Sequence, residues 1–176
     1  IDAIAARKTR SIVMFIGPLI HFLASFALPQ SGGCKLGSRT VRPHFYGLEH
    51  FGVHIDTTET EFRITTQPKK PSEIILYESG DTVTENVLMA AALTPTTTTI
   101  KYASANYQVQ EMCAFLKVCG VDIQGIGTST LVVTGVSVLN QDIEYTLSED
   151  PTDSMFFLAT AIVTNSSITI KRCPIE

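Results

Sequence analysis

Apolar positions along this chain recur with two alternating periods, and the alternation predicts a succession of helices and strands. Helical spacing runs near 4–23, 43–51, 83–93 and 107–119. Extended pieces lie near 25–29, 53–57 and 61–66, at Glu73-Ile74-Ile75-Leu76-Tyr77, and near 97–103, 121–125 and 130–135. In the first helix Gly17-Pro18 predicts a kink or restart, because proline removes a backbone donor and crowds the preceding turn. Thr84, Glu85 and Asn86 read as first-turn and capping polar residues, with Asn86 exposed.

The order of elements repeats. Leu48-Glu49-His50-Phe51-Gly52-Val53-His54-Ile55 matches Leu116-Lys117-Val118-Cys119-Gly120-Val121-Asp122-Ile123 in type and order, each ending a helix and opening a strand. Gly52 and Gly120 stand where a helix C-terminus takes a left-handed residue. A third unit opens near Asp150 and Asp153, which read as caps, with Phe156 to Ile162 helical and Ser167 to Lys171 extended. Repeated α/β units that each leave an apolar face must pack on one another, which predicts a symmetric α/β domain with its helices inside. The boundary falls near Leu147, giving a first domain over 1–147 and the start of a second over 148–176.

Composition is that of a globular protein, with 44% hydrophobic and 17% charged residues over 176 positions. The net charge of −4, with no basic block interleaved with aromatics, argues against nucleic acid. Ser11 to Leu28 is apolar, yet Gly17, Pro18, His21, Ser25 and Pro29 break it, so a buried helix is expected and no membrane partner. Cysteines 34, 113, 119 and 173 lack paired spacing, which points away from zinc and disulfides and toward a reducing cytoplasm. Cys113, Cys119 and Cys173 read as packing residues. The chain starts at Ile1 in helix-like sequence and stops just past a strand-like run, so an internal piece of a longer protein is expected.

The candidate chemistry centres on Ser31-Gly32-Gly33-Cys34-Lys35-Leu36-Gly37-Ser38-Arg39, a cysteine in a glycine-rich loop between cations. Glycines let such a loop fold over a ligand, while Lys35 and Arg39 favour the thiolate and offer donors to phosphate or carboxylate. A structural turn is the competing reading of these residues taken alone. Arg10 and Arg39 are candidate anion clamps, since guanidinium pairs bidentately with phosphate and carboxylate. Glu78-Ser79-Gly80-Asp81 precedes a helix whose first N–H groups suit anions; equally, Glu78 and Asp81 could cap that helix.

Thr9-Arg10-Ser11, Gly17-Pro18-Leu19, Gly32-Gly33-Cys34-Lys35-Leu36-Gly37-Ser38-Arg39, His44 and Gly47-Leu48-Glu49 stand in this order along the chain. With Thr84 to Leu93 and Asp150-Pro151-Thr152-Asp153, they resemble the UDP-N-acetylglucosamine 1-carboxyvinyltransferases, enolpyruvyl transferases of peptidoglycan synthesis, over nearly the whole chain. The resemblance implies an inside-out α/β barrel of repeated βαβαββ-type units, incomplete in this chain. It implies phosphoenolpyruvate and UDP-N-acetylglucosamine as partners and no cofactor or metal. Cys34 would be the general acid, able to form an adduct with the enolpyruvyl donor and open to alkylation by fosfomycin. Arg39 would lie near nucleotide and phosphoenolpyruvate, and Arg10 beside the nucleotide sugar and the reacting centre. Arg39, Thr40, Val41, Arg42 and Pro43 would meet uracil and ribose, although Arg42 reverses the charge common at its position. Glu78, Ser79, Gly80 and Asp81 would face the diphosphate, and His44 would orient the helix that follows. The resemblance puts a Lys-Asn pair for phosphoenolpyruvate before residue 1 and the general base in a second domain of the same polypeptide beyond residue 176, so these 176 residues alone are expected to be inactive. The rival readings are a non-catalytic UDP-sugar-binding regulator and enolpyruvyl transfer to shikimate 3-phosphate; the latter enzymes share the fold but do not use this cysteine loop.

Overall fold

A computed structural model of the chain describes residues 3–30, 40–140 and 142–174. The chain forms two compact units, 1–143 and 144–176. The first unit begins with α1 (Ala3–Ala6), a 3-10 helix (Arg10–Phe15) and α2 (Ile16–Leu19), where one helix over 4–23 was expected. Two local features divide it. Thr9 is extended and its hydroxyl accepts the Ser11 N–H, which ends one helix and starts another. Pro18 supplies no N–H to continue the ladder.

Strand β1 (Ser25–Pro29) pairs antiparallel with β3 (Glu61–Thr66), which pairs antiparallel with β2 (Val53–Thr57). Helix α3 (Arg42–Glu49) leads into β2 through Gly52, whose φ of 81° is the left-handed cap that its position predicts. The second sheet is ordered β4-β5-β7-β6, from β4 (Glu73–Ile75), β5 (Thr97–Lys101), β6 (Asp122–Gln124) and β7 (Thr130–Thr134). Its β4 and β5 run parallel, joined by α4 (Asp81–Ala92), whereas β7 is antiparallel to β5 and to β6. Strand β5 ends at Lys101 because Tyr102 turns to φ 61°. Helix α5 (Tyr107–Val118) closes with Gly120 at φ 100°, the Val121 N–H reaching back to Leu116 O.

Each sheet turns one side to the core. Phe62 and Ile64 of β3, Thr98 and Ile100 of β5, and Leu131 and Val133 of β7 are buried, while Arg63 and Lys101 point out. Helix α4 is buried on more than one side, through Val83, Thr84, Asn86, Val87, Leu88 and Ala90 to Ala92. The neighbouring helices reach it through glycine. A Cβ on Gly47 would stand 2.5 Å from Val87 Cγ2, and one on Gly17 would stand 2.4 Å from Asn86 O. Full burial of side chains such as Val87 and Leu88 stabilises the unit by roughly 1.5–3 kcal/mol each. Helices within and sheets without, the architecture is the α/β arrangement of repeated units that the sequence predicts.

In the second unit α6 (Pro151–Val163) starts on Asp150, whose Oδ1 accepts the Thr152 N–H at 2.7 Å. The strand expected over 167–171 does not form. A strand needs a ladder partner, and the described residues of this unit form no strand to supply one. Cys173 is exposed rather than packed, whereas Cys113 and Cys119 are buried as expected.

Candidate functional site

Five segments of the first unit surround a cleft of about 490 Å³. The 3-10 helix supplies Arg10, Ser11, Val13 and Met14; the lead-in to α3 supplies Thr40 and Val41; α3 supplies His44. Glu78, in the turn after β4, and Thr82, in the first turn of α4, complete the lining. The local reasons are sequence-encoded. Thr9 caps the turn that presents Arg10, and Pro43 occupies the start of α3, where a missing N–H costs nothing.

His44 is 7% exposed and held on both ring nitrogens. Nδ1 lies 3.2 Å from Asn86 Nδ2, and Nε2 lies 3.4 Å from Thr82 Oγ1. Burial first, and the nearby Arg10 cation second, push its pKa down to about 4, so the ring is neutral at pH 7. Among the described residues the charges lining the cleft are therefore Arg10 and Glu78, one donor fork and one carboxylate. Such a pairing suits a ligand that carries both an anionic group and hydroxyls.

The cleft gathers Arg10, Thr40, Val41 and Glu78 from the residues singled out in the sequence. Cys34 and Arg39 lie outside the described residues, as does the rest of the loop 31–39. Arg42 opens α3 and pairs with Glu49 at 3.3 Å, and Pro43 is buried beside it. Ser79 donates to Ala103 O at 3.2 Å, and Gly80 is the N-cap residue of α4 without a side-chain cap. Asp81 accepts from Ser104 Oγ and, at 2.9 Å, from Asn106 Nδ2, so it ties α4 to the start of α5 rather than capping α4 itself. Half-burial, with Asp81 a lesser cause, raises the pKa of Glu85.

Sequence reasoning missed Thr82, Ser11 and above all Asn86. Expected to be exposed, Asn86 is fully buried, and Thr84 with it. Thr84 donates to Gly80 O at 2.8 Å and accepts the Ser104 N–H at 3.0 Å. One signal was available: Asn86 interrupts the apolar run Val83, Val87, Leu88, and an asparagine inside a helix is unfavourable unless its side chain has partners. Among the described residues no group of three His, Cys, Asp or Glu could hold a metal ion, and no helix is long and apolar enough to cross a membrane.

Comparison with known proteins gives this geometry a context. The profile of the family described as EPSP synthase (3-phosphoshikimate 1-carboxyvinyltransferase) matches residues 3–176. UDP-N-acetylglucosamine 1-carboxyvinyltransferase of Treponema denticola is 33% identical over 94% of this chain and 38% of its own length. The protein of that name from Shewanella amazonensis is 34% identical over 95% of this chain and 39% of its own. The chain thus spans about two-fifths of the length of these relatives. Among solved structures, the enolpyruvyl transferase NikO from Streptomyces tendae superposes with a TM-score of 0.71 at 19% identity, covering 87% of this chain and 36% of that one. EPSP synthase from Acinetobacter baumannii gives 0.61 at 20% identity, over 84% and 34%. Fold and profile agree, and the chain belongs to the EPSP synthase (3-phosphoshikimate 1-carboxyvinyltransferase) family of enolpyruvyl transferases.

Proposed function

We propose that the whole encoded protein transfers the enolpyruvyl group of phosphoenolpyruvate to the 3-hydroxyl of UDP-N-acetylglucosamine and releases phosphate. The observation that carries the reading is the meeting of Arg10, Thr40, Val41 and Glu78 in one cleft, with Thr40 and Val41 directly after the Cys34 loop in sequence. It is supported by relatives named for this reaction that align with 94–95% of the chain. In this reading the hydroxyl gives its proton to the general base expected in the second domain and its oxygen adds to C2 of the donor while Cys34 gives a proton to C3, forming a tetrahedral adduct. Loss of phosphate and of a C3 proton then yields the enol ether. Arg10 and Arg39 hold the donor's anionic groups as charge redistributes, and closure of the Cys34 loop excludes water.

The family's description favours a second reading, with shikimate 3-phosphate as acceptor. Phosphate release by the whole encoded protein, assayed with each acceptor in turn, separates them. Release with UDP-N-acetylglucosamine that is lost in Cys34→Ala is expected. Release only with shikimate 3-phosphate would establish the second reading, and nucleotide-sugar binding without any release would leave a non-catalytic binder.

A further inference from the structure

The Asn86 amide has one possible orientation. Its Oδ1 accepts the Gly17 N–H at 2.8 Å, and its Nδ2 donates to Val13 O at 3.0 Å. A backbone N–H only donates and a carbonyl only accepts, so a flipped amide would set donor against donor and acceptor against acceptor. The second Nδ2 proton is then the one that faces His44 Nδ1 at 3.2 Å. That nitrogen must be the bare acceptor, which leaves the ring's single proton on Nε2. Nε2 in turn faces Thr82 Oγ1, 3.4 Å away at the edge of the cleft. The Thr82 hydroxyl makes no other hydrogen bond among the described residues, so once it accepts from Nε2 it has its own proton to give.

We propose that Asn86 is a positioning residue for the cleft: it fixes His44 as the Nε2–H tautomer, and ring and Thr82 together present one aimed hydroxyl donor to an oxygen of the bound substrate. Asn86 itself touches no ligand, since it is fully buried behind His44. Three elements are set by the same amide. It holds the 3-10 helix at Val13, α2 at Gly17 and α3 at His44, so a small shift of Asn86 moves the wall that carries Arg10. Among the described residues, the groups around the ring are Arg10 from the 3-10 helix, Glu78 from the turn before α4, and the uncharged Thr82 and Asn86 of α4 itself. On α3, Arg42 and Glu49 pair with each other. With Arg10 and burial both opposing a charged imidazole, the donor keeps its proton count across neutral pH.

The inference takes its ligand from the proposed function, but its test does not depend on it. Nitrogen-15 NMR of the histidine side chains in the whole encoded protein reads tautomer and titration directly. His44 is expected to show a protonated Nε2 and a bare Nδ1 with no titration between pH 5.5 and 8. An Nδ1–H tautomer, or a titration near pH 6.5, would overturn the proposal whatever the enzyme's activity. In Asn86→Asp the carboxylate replaces the Nδ2 donor by an acceptor, so His44 should take a second proton and titrate above its ordinary value; an unmoved titration overturns it as well. Should Asn86→Asp not fold, the wild-type spectrum decides alone. With UDP-N-acetylglucosamine as the probe, Kd is expected to be flat from pH 5.5 to 8 in the wild type and about 5- to 10-fold weaker in Thr82→Val, the loss of one hydrogen bond. Equal affinity of Thr82→Val and wild type removes the donor role, while an absence of binding by the wild type refutes the acceptor identity and leaves the spectrum to decide the tautomer.

Discussion

Substituting Gly17 by alanine tests whether the approach of α2 to α4 is as tight as the structure shows. The new Cβ would stand 2.4 Å from Asn86 O and 2.5 Å from Asn86 Oδ1, where ordinary contact begins at 3.4 Å, so backbone must retreat by about 1 Å. Overpacking of that kind costs roughly 1–3 kcal/mol. The retreat also strains the buried 2.8 Å bond from the Gly17 N–H, and a buried donor left unpaired costs about 1–3 kcal/mol more. Against this, alanine is the better helix former by about 1 kcal/mol. The expected net loss is about 3 kcal/mol, read as a lower urea midpoint at unchanged slope by circular dichroism, because the chain has no tryptophan. Gly80→Ala is the control. Its Cβ meets the flexible end of Glu78 at 3.1 Å, and a loss of no more than about 1 kcal/mol is expected. A Gly17→Ala protein within about 0.5 kcal/mol of wild type would refute the reasoning, for it would mean that α2 and α4 do not touch through this glycine.

Two further outcomes follow from buried titratable groups. His44 falls from an ordinary 6.5 to about 4 on folding, so its contribution to stability is whole above pH 6.5, drains away as pH falls, and is fully lost below about 4. The loss amounts to about 3 kcal/mol. Most of it, about 2.5 kcal/mol, falls between pH 7.5 and 4.5, so denaturation at these two values should show that much less pH dependence in His44→Gln, and parallel behaviour of the two proteins would count against a buried neutral imidazole. Burial pushes the Cys113 thiol up to about 11, while Cys173 is exposed. Mapping alkylated peptides of the native protein should find Cys173 modified at least tenfold faster than Cys113, and equal rates would contradict the packing of α5.

Most of the fold was legible because its signals are local. The switch between helical and alternating periods located α3, β2, β3, α4, β5, α5 and β7 within a few residues, and the two Leu-x-x-x-Gly-Val segments announced their left-handed caps. The first helix was misread because its apolar content is continuous, whereas its division depends on a threonine hydroxyl and a proline that act on the backbone. The segment 167–171 has strand composition but pairs with no strand among the described residues. Within the cleft, Arg10, Thr40, Val41 and Glu78 were found because charge and motif marked them. Asn86 was not, since its role is a matter of which carbonyl and which ring lie beside it, and sequence spacing does not report contacts between residues some seventy positions apart.

That separation bears on how the cleft can come into being. The three hydrogen bonds of Asn86 join it to residues 69, 73 and 42 positions away. Closing such loops costs entropy that grows only as the logarithm of length, about 0.6 kcal/mol per doubling, so the span is affordable. Its kinetic meaning is larger, because contacts of long sequence separation form late and slow the search. Strands β4 and β5 with α4 are nearly contiguous and can pair early, but no short stretch of the chain contains the cleft in miniature. The cleft is thus a property of the completed unit, and any lesion that leaves secondary structure intact while loosening the return of the amino-terminal segment removes the cleft before it removes the fold.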